Sequence, residues 1–566
     1  MCILKPDAIM NGDNKSAERL SSMPPQTETP PEAPASSRVS NASNSVLDPL
    51  KRPVFRMLWI TWLIANVCMW MNDVAAAWQM TSLTSTPIWV ALVQTASTLP
   101  VFLLGLPSGA LADILDRRRY FITTQFWIAG VASLLCVAIA SGLMTPPLLL
   151  ALTFANGIGL AMRWPVFAAI VPELVPRAQL PHALALNGIS MNASRIIGPL
   201  VAGAIIAAAG SFYVFLLNAS LSVVAGFTIM RWKREHVPSP LGREKLLSAM
   251  RVGVQFVGQS PRLKSVLLRI SIFFFHSTGL LALLPLVAKG IEGGGAGTYT
   301  LLLASMGAGA ITAALFLPRL RQIIPSDRVI LMGAVLQSLA MAGVAFAPNV
   351  YTAVFGMFCG GIAWISSANT LSVAAQLGLP DWVRARGMSM YQMAIMGASA
   401  SGAALWGQVA TLTSVQTSLA IAACTGVLAM LAAYRAMGDR SIEEDFTPSR
   451  AIRAPQAELP RDSGRVLVTI EYLIDPARAD EFLALMQESR RSRLRQGALG
   501  WELLRDIAVP GRYVEQVIDE SWTEHLRRFD RVTAADVALR ERKMAFHLAD
   551  QPPVVTRCLI EPVGRS

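Results

Sequence analysis

Charged side chains are scarce in this sequence. Aspartate, glutamate, lysine and arginine make up 15% of the 566 residues, whereas 53% are hydrophobic and the mean hydropathy is +0.45. A soluble protein carries about 25% charged residues, so the composition excludes an ordinary soluble protein. The net charge of +12 does not indicate nucleic acid, because the basic residues lie in short breaks between apolar runs. We expect the lipid bilayer, and no nucleic acid, as a partner.

Cysteine is scarce as well, and the sequence holds no two cysteines close together: Cys2, Cys68, Cys136, Cys359, Cys424 and Cys558. This dispersion argues against a disulfide framework and against a cysteine metal cluster. The sequence also shows no phosphate-binding loop and no nucleophile triad. We therefore expect no metal, no cofactor and no catalytic residue.

Long apolar runs begin at Val54 and alternate with short breaks. A helix that spans a membrane needs about 20 apolar residues. Twelve runs approach that length, at about 55–80, 88–111, 121–141, 147–166, 183–209, 212–231, 264–289, 298–317, 328–347, 350–376, 386–410 and 413–436. The pattern predicts an all-α polytopic membrane protein with twelve transmembrane helices.

The charges of the breaks predict the orientation of these helices. Lysine and arginine in short loops are retained on the cytoplasmic side. The even-numbered breaks hold most of them, including Arg117, Arg177 and Arg384, whereas the odd breaks around Thr84 and Thr145 hold none. Lys289, near the end of the seventh run, is the exception. We expect a multi-pass protein of the cell (inner) membrane with both termini in the cytoplasm.

An internal repeat divides the apolar region. Residues 154–158 align with residues 358–362, and the same offset of 204 places Gly105 on Gly309 and Gly198 on Gly402. Such a repeat is typical of transporters built from two parallel halves. We predict two six-helix halves, 54–231 and 264–437. A cytoplasmic linker, 232–263, joins them and forms either a surface helix with Leu246, Met250, Val254 and Val257 on its apolar face or a solvated segment.

The break between the second and third predicted spans carries a motif. The stretch GLPSGALADILDRRR, 105–119, resembles the loop motif of the major facilitator superfamily, with matches that include Gly109, Asp113, Arg117 and Arg118. Gly105 and Gly109 lie on one helix face and permit close helix packing. Asp113 and Arg117 can pair if the helix continues that far. An ordinary charged membrane loop is the alternative.

The fifth run carries a second motif. Ser194, Gly198, Pro199 and Gly203 resemble the exporter motif of the same superfamily, although Ser194 and Ala202 replace two of its glycines. Pro199 removes a backbone donor and bends a helix, and small neighbours permit close packing. The resemblance implies export rather than import. The alternative is a simple packing kink, which would indicate nothing about the direction of transport.

Residues 54–437 resemble a major facilitator transporter, and the domain appended at residues 464–561 makes the whole chain similar to the bacterial branch of the superfamily that includes enterobactin exporters and macrolide-efflux proteins. The resemblance implies export of a small amphipathic molecule by alternating access, with protons as the coupling ion. One feature departs from it. Proton-linked exporters place an arginine four residues before a glycine of the fourth span, but here Thr153 precedes Gly157.

Four polar side chains inside the apolar runs are candidates for coupling or substrate binding. They are Asp73, Asn192, Arg195 and His276. Ionisable groups within a membrane are costly, and by default they serve function. Arg195 can instead form a structural pair between helices, and a lone histidine in an apolar run is more often a hydrogen-bonded core residue.

Polar segments flank the apolar region. Residues 1–53 are rich in proline and serine and lack the apolar core of a signal peptide, so we expect a disordered cytoplasmic tail. Residues 438–463 form a second linker. In 464–561, Val466, Val468, Ile470 and Tyr472 alternate as in a half-buried strand. The element order βαββαβ predicts a small ferredoxin-like α+β domain.

The role of this last domain stays open. Its element order and the stretch 520–531 resemble the dimeric α+β barrel of antibiotic-biosynthesis monooxygenases. It is therefore a cofactor-free monooxygenase-like enzyme tethered to the membrane, a dimerisation module that makes the chain a homodimer, or a docking module for another partner. His525 is a candidate ligand or base, although a surface helix histidine is the more common case.

Overall fold

The computed structural model describes residues 47–176, 179–232, 246–437, 445, 447–449, 451, 455 and 464–561. The predicted tail, 1–53, therefore lies outside the described residues except at its end, as do most of the linker 438–463 and residues 233–245 of the first linker. The described membrane region holds twelve helices of 20 or more residues. They are α1 (Pro53–Leu83), α2 (Pro87–Ile114), α3 (Arg117–Ala140), α4 (Pro146–Leu174), α5 (Leu180–Ala209), α6 (Ser211–Met230), α8 (Pro261–Gly290), α9 (Ala296–Ile323), α10 (Ser326–Ala345), α11 (Val350–Leu377), α12 (Asp381–Leu412) and α13 (Val415–Met437).

Eleven of these twelve described helices are long and apolar enough to cross a membrane. The exception is α12, whose first two turns carry Asp381, Arg384 and Arg386. The described membrane region therefore has twelve long helices, as predicted, and length and composition alone identify eleven of them as membrane spans. α12 packs along α2 and α8 within the same bundle as the other helices.

Ten of these twelve described helices begin one to five residues before the predicted apolar runs do, because their first turns are set by local chemistry. α1, α2, α4 and α8 each start at a proline, whose fixed φ suits the first helical position. The Asp116 side chain accepts a hydrogen bond from the backbone N–H of Arg119 and so caps α3. Asn349 caps α11 in the same way.

The two ends of the bundle pack differently. We call the end that carries Arg117, Arg118 and Arg119 the basic end. At the opposite end, side chains of both halves form one core that includes Met80, Leu149, Leu284, Tyr299 and Met341. Toward the basic end, the first half has its own core with Phe55, Trp62, Phe121, Phe167 and Ile170, and the second half has another with Ile270, Phe273, Phe274, Trp364 and Tyr391. The two halves therefore share one core at the opposite end and have separate cores toward the basic end.

The first linker contains α7 (Leu246–Gly258), as the helical alternative predicted. Its apolar face was predicted only in part. Val257 is buried as expected, but Val254 is 53% exposed, and Val252 and Phe256 are buried as well. The reason is that α7 packs between α8, α12 and the C-terminal domain, and these neighbours select a different stripe from the one that a membrane surface would select.

The C-terminal domain follows the predicted order of elements. It comprises β1 (Val466–Leu473), α14 (Ala479–Arg495), β2 (Gly500–Arg505), β3 (Arg512–Asp519), α15 (Trp522–Asp530), α16 (Ala534–Met544) and β4 (Val555–Leu559). The strands form one antiparallel sheet in the order β2-β3-β1-β4. Val466, Val468, Ile470 and Tyr472 are buried against the helix residues Phe482 and Met486, as the alternation predicted.

Candidate functional site

A cavity of about 650 Å³ lies between the two halves, near the middle of the bundle. The first half contributes α2 and the second half contributes α8 and α12. The lining residues are Thr95, Leu99, Phe102, Ser271, Ile272, Phe275, His276, Met393, Ala394, Gly397, Ala398, Ala400, Ser401 and Ala404. Small-molecule sites enclose about 300–1,000 Å³, and transporter sites lie near the bilayer midplane between the repeats. Size and position therefore fit a substrate site.

The wall of this cavity is mostly apolar. Two of its hydroxyl groups are directed to backbone carbonyls: Thr95 Oγ1 donates to the carbonyl of Ala400 (2.8 Å) and Ser401 Oγ donates to that of Gly397 (2.7 Å). His276 is the titratable side chain among the lining residues. Such a wall favours an apolar or amphipathic molecule with few polar groups.

His276 is held firmly in this wall. Its Nδ1 lies 2.7 Å from the carbonyl oxygen of Ile272, one helical turn earlier. Its ring centroid lies 5.7 Å from that of Trp406, and Gly426 of α13 packs directly against its Cβ and ring. Of the four polar side chains singled out in the sequence, His276 is the one that lines the cavity.

Asp73 and Arg195 have separate partners. Ser97 Oγ of α2 donates a hydrogen bond to Asp73 Oδ1 (2.8 Å), which links the outer part of α1 to α2. The Arg195 guanidinium lies over the Trp70 ring, 5.4 Å from its centroid. Between these two described side chains the structure shows no ion pair.

Asn192 lies on the exposed surface of α5. Its Nδ2 donates to the carbonyl of Gly188 (3.0 Å), and the side chain is not among those that line the cavity.

The exporter-like motif packs α5 against both halves. Ser194 is fully buried and its Oγ donates to the carbonyl of Ser190 (2.7 Å). A Cβ at Gly198 would lie 2.5 Å from Cβ of Trp70 in α1, and a Cβ at Gly203 would lie 1.8 Å from Oγ1 of Thr300 in α9. Pro199 stands inside α5 without ending it. Small residues here permit contacts that a larger side chain would block.

The loop motif is divided between two helices. α2 ends at Ile114, and Leu115 and Asp116 are extended before α3 begins at Arg117. Asp113 and Arg117 therefore do not share one helix, and the condition set for their pairing is not met. Gly109 and Asp113 lie within α2, where Gly105 approaches Met393 of α12, with 3.0 Å between its ideal Cβ and Met393 Cγ.

The arginines of the loop motif connect helix ends of the first half. Arg117 Nη1 forms an ion pair with Glu173 Oε1 of α4 (2.6 Å), and Arg118 Nη2 donates to the carbonyl of Met230 in α6. The second half has a comparable pair at the same end, in which Arg269 Nη1 contacts Asp327 Oδ1 (2.6 Å). These contacts hold each half together at the basic end.

The sequence motifs do not single out Arg163, yet it is 2% exposed between α4 and α1. Its Nη1 and Nη2 both donate to the carbonyl of Ala65 (3.3 Å each), and its guanidinium lies 5.3 Å from the Trp62 ring centroid. Trp62 stacks on Phe167, 3.9 Å between centroids. An arginine inside an apolar run was the available signal, but Arg163 lies nearer the cytoplasmic end of that run than the position that the family pattern indicates.

The C-terminal domain contains two buried charge clusters. Glu515 is fully buried and accepts hydrogen bonds from five side chains: Tyr472, Ser489, Arg493, Trp501 and Lys543. Burial alone would raise the pKa of Glu515, but the charges of Lys543 and Arg493 and these hydrogen bonds hold it below its usual range. Burial in turn lowers the pKa of Lys543 to about 8, against the opposing effect of Glu515.

His525 belongs to the second cluster and is 3% exposed, so the expectation of a surface histidine was wrong. Its Nδ1 contacts Asp519 Oδ2 (2.7 Å), and Arg557 Nε approaches its Nε2 (3.3 Å). Burial would raise the pKa of Asp519, but the charge of Arg528 and the hydrogen bond to His525 lower it to about 2. Both ring nitrogens of His525 are thus engaged within the domain.

The C-terminal domain also contacts the membrane region through α7 and the start of α12. Arg251 Nη2 of α7 forms an ion pair with Glu520 Oε2 (2.7 Å), and Gln255 Nε2 donates to the carbonyl of Ala498 (3.4 Å). The Arg531 guanidinium lies 5.1 Å from the Trp382 ring centroid. These contacts attach the domain to the second half and its preceding helix.

This arrangement agrees with the comparison to known proteins. A family profile described as "Transmembrane secretion effector", from the major facilitator superfamily, matches residues 44–564. The chain belongs to this family. It is therefore a multi-pass membrane transporter and not an enzyme, and the family match extends through the C-terminal domain.

Curated relatives are transporters of small molecules. The staphyloferrin A transporter of Staphylococcus aureus is 23% identical over 57% of this chain and 81% of its own length. The enterobactin exporter of Salmonella choleraesuis is 25% identical over 66% and 89%, respectively. Macrolide efflux protein A of Streptococcus pyogenes is 23% identical over 41% and 58%. The chain is thus similar to exporters of siderophores and macrolides.

Solved structures support the fold alone. A crystal structure of the nucleoside transporter NupG superposes with a TM-score of 0.56 at 14% identity and covers 68% of this chain and 100% of its own. A bacterial homologue of the lysosomal transporter Spinster, inward-facing and occupied, gives 0.56 at 12% identity and covers 71% and 99%. The membrane region therefore has the major facilitator fold.

Proposed function

We propose that this family member is a secondary active exporter that carries a small amphipathic molecule across the cell (inner) membrane by alternating access. The observation that supports this best is the cavity of about 650 Å³ between α2 and the pair α8 and α12. It lies between halves that share a core at one end and have separate cores toward the other. A rocking motion of one half against the other would move the opening from end to end.

The orientation follows from charge. Arginines of the loop motif stand at the basic end, and short basic loops stay in the cytoplasm. The basic end then faces the cytoplasm, and both termini are cytoplasmic. The two separate cores then lie on the side from which an exporter takes up its substrate. The division into halves 54–231 and 264–437, with linkers 232–263 and 438–463, is part of the same proposal.

We assign proton coupling to Asp73. Its carboxylate is held by Ser97 between α1 and α2, near the end at which both halves share one core. A carboxylate that is buried in one state and solvated in the other binds a proton in the first and releases it in the second. Arg195, which lies over Trp70 instead, is assigned to helix packing.

For the C-terminal domain we propose a ferredoxin-like docking module. The ion pair of Arg251 with Glu520 and the stacking of Arg531 on Trp382 support docking on the second half. A monooxygenase-like role fits less well, because Glu515 and His525 are already fully engaged by neighbouring side chains.

Homodimerisation through this domain is the second candidate. The helices of the domain cover one face of its sheet, and the other face presents the half-buried residues Leu467, Val514 and Ile518. A second copy of the sheet would cover them. Light scattering of the purified full chain in detergent tests this: a mass of two chains supports the dimer, and a mass of one chain contradicts it.

Transport into everted membrane vesicles tests the main proposal. Vesicles that contain the chain, energised by a proton gradient, should accumulate a siderophore or a macrolide, represented by enterobactin and erythromycin. A variant with a filled cavity, Ala394→Trp, should insert normally and accumulate neither. Equal accumulation with and without the chain, or full activity of the filled variant, would contradict transport through this cavity.

A further inference from the structure

We propose that His276 is the polar recognition point of the cavity, where its Nε2 accepts a hydrogen bond from a hydroxyl or N–H group of the substrate. The substrate class is then a largely apolar molecule that carries at least one hydrogen-bond donor. This inference rests on the proposed transport function, and it adds the chemistry by which the site selects its cargo.

The hydrogen bond at Nδ1 fixes the tautomer of His276. The carbonyl oxygen of Ile272, 2.7 Å from Nδ1, can only accept, so Nδ1 carries the proton. In the neutral ring, Nε2 then has a lone pair and no proton. His276 therefore offers an acceptor, while its donor is used within α8.

Packing holds the ring in this orientation. Trp406 of α12 lies against one side of the ring, at a tilt of 41°, and Gly426 of α13 packs against Cβ, Cγ and Cδ2. A side chain at Gly426 would collide with the imidazole, since its Cβ would lie 3.1 Å from Cβ of His276. The ring is thus positioned before any ligand binds, which makes the acceptor a fixed feature of the wall.

The surroundings of the ring favour a neutral partner. The lining residues that α2 and α12 contribute are apolar or hydroxyl-bearing: Thr95, Leu99 and Phe102 from α2, and Met393, Ala394, Gly397, Ala398, Ala400, Ser401 and Ala404 from α12. None of these lining residues is ionisable. An ionic ligand would lose its hydration without gaining an opposite charge, whereas a neutral donor gains one hydrogen bond and apolar contacts.

A single acceptor in an apolar wall discriminates strongly. A ligand that lacks a donor displaces water from Nε2 and leaves a buried acceptor without a partner. A site built around such a group strongly rejects analogues that cannot form the hydrogen bond. An apolar pocket that distinguishes ligands only by their size discriminates far less. Replacing the donor of a ligand by an ether should therefore weaken binding by a factor of about ten or more.

Two matched probes and two matched variants test this. The probes are 1-naphthol, which has one hydroxyl donor, and 1-methoxynaphthalene, which has none; their binding to the full chain in lipid nanodiscs is measured by isothermal titration, with empty nanodiscs subtracted. The wild type should bind 1-naphthol at least about tenfold more tightly. His276→Gln, whose amide oxygen reaches the position of Nε2, should keep much of the preference. His276→Asn, which keeps a donor near Nδ1 but no group near Nε2, should lose it.

Two further variants make every outcome informative. Ser220→Ala removes a hydroxyl from the exposed surface of α6, away from the lining residues, and should leave the preference for 1-naphthol unchanged. Ala394→Trp fills the cavity and should abolish binding of both probes. Equal preference in the wild type, His276→Gln and His276→Asn overturns the role of His276, as does failure of the wild type to prefer 1-naphthol. Unchanged binding by Ala394→Trp shows instead that the probes bind elsewhere, which contradicts the proposed transport cavity.

Discussion

Lys289 of α8 donates a hydrogen bond from Nζ to the backbone carbonyl of Thr81 in α1, at 2.6 Å, and so bridges the two halves at the end opposite the basic loops. Its ammonium group also lies 5.3 Å from the centroid of Trp78, which stacks on Tyr299 of α9. Lys289 is the basic residue that did not follow the loop charge pattern. Its position in this contact gives a structural reason for a lysine there.

Asp73→Asn should abolish efflux driven by a pH gradient in proteoliposomes while substrate binding partly survives. The substitution keeps the shape of the side chain but removes the group that would exchange a proton, and Asn can still accept from Ser97. Ser97→Ala is the matched control: it removes the hydrogen bond and leaves the carboxylate, so it should shift the pH dependence of efflux without abolishing it. Normal pumping by Asp73→Asn would exclude Asp73 as the coupling residue.

Gly203→Ala should impair transport because it disturbs the crossing of α5 and α9 between the halves. Its Cβ would overlap the side chain of Thr300, so one helix must move. The double variant Gly203→Ala/Thr300→Ala should recover part of the activity, since it removes the two nearest of the three colliding atoms, Oγ1 and Cγ2 of Thr300. Gly188→Ala, on the same helix with no atom within 4 Å of the new Cβ, is the control. If both alanine variants transport equally well, the close approach at Gly203 has no functional role.

Arg251→Glu should loosen the C-terminal domain from α7. The ion pair with Glu520 is partly exposed and contributes about 1 kcal/mol or less, so the change is a moderate rise in hydrogen exchange of residues 246–258. The exchanged pair Arg251→Glu/Glu520→Arg should restore protection. Arg542→Glu breaks an exposed pair with Glu488 inside the domain and serves as the control. Protection that survives Arg251→Glu unchanged would place the docking elsewhere.

Glu515→Gln should destabilise the C-terminal domain by about 3 kcal/mol at pH 7, because Lys543 then loses its buried counter-charge. Glu502→Gln, on the exposed side of β2, should change stability little. The native pKa values of Glu515 and Asp519 lie below their usual ones. The stability that these two carboxylates contribute to the folded domain is therefore fully present above about pH 5, and it is lost as the pH falls toward 2. Urea unfolding of fragment 464–561 at pH 7, 5 and 3 measures both effects; a midpoint independent of pH would contradict them.

The fold was largely predictable because it is governed by local patterns. Apolar runs of membrane length and the alternation of Val466 to Tyr472 each produced the expected element. Contacts over long sequence separations were not predictable: Lys289 and Thr81 are 208 residues apart. Val254 and His525 were misjudged for the same reason, since their burial depends on which other segment packs beside them.

For the candidate site, the sequence identified His276 but not the residues that contact it. An isolated histidine in an apolar run has no periodic partner, so nothing in the sequence placed it beside Trp406 rather than beside Asp73 or Arg195. Arg163 was missed because the family pattern points to Thr153, which lies ten residues earlier in α4. Residue type marked the candidates, and packing decided which of them meet.

Distances between spin labels at the two ends of the bundle test the central claim, alternation of the two halves. One label pair replaces Leu115 and Leu377 at the basic end, and the other replaces Leu143 and Tyr351 at the opposite end; all four side chains are exposed. In a cysteine-free background, Lys289→Met removes the hydrogen bond to the carbonyl of Thr81. We expect this change to shift the protein toward a state in which the basic-end distance is shorter and the opposite-end distance is longer. Distances that do not change, or that lengthen at both ends together, would contradict alternating access around this cavity.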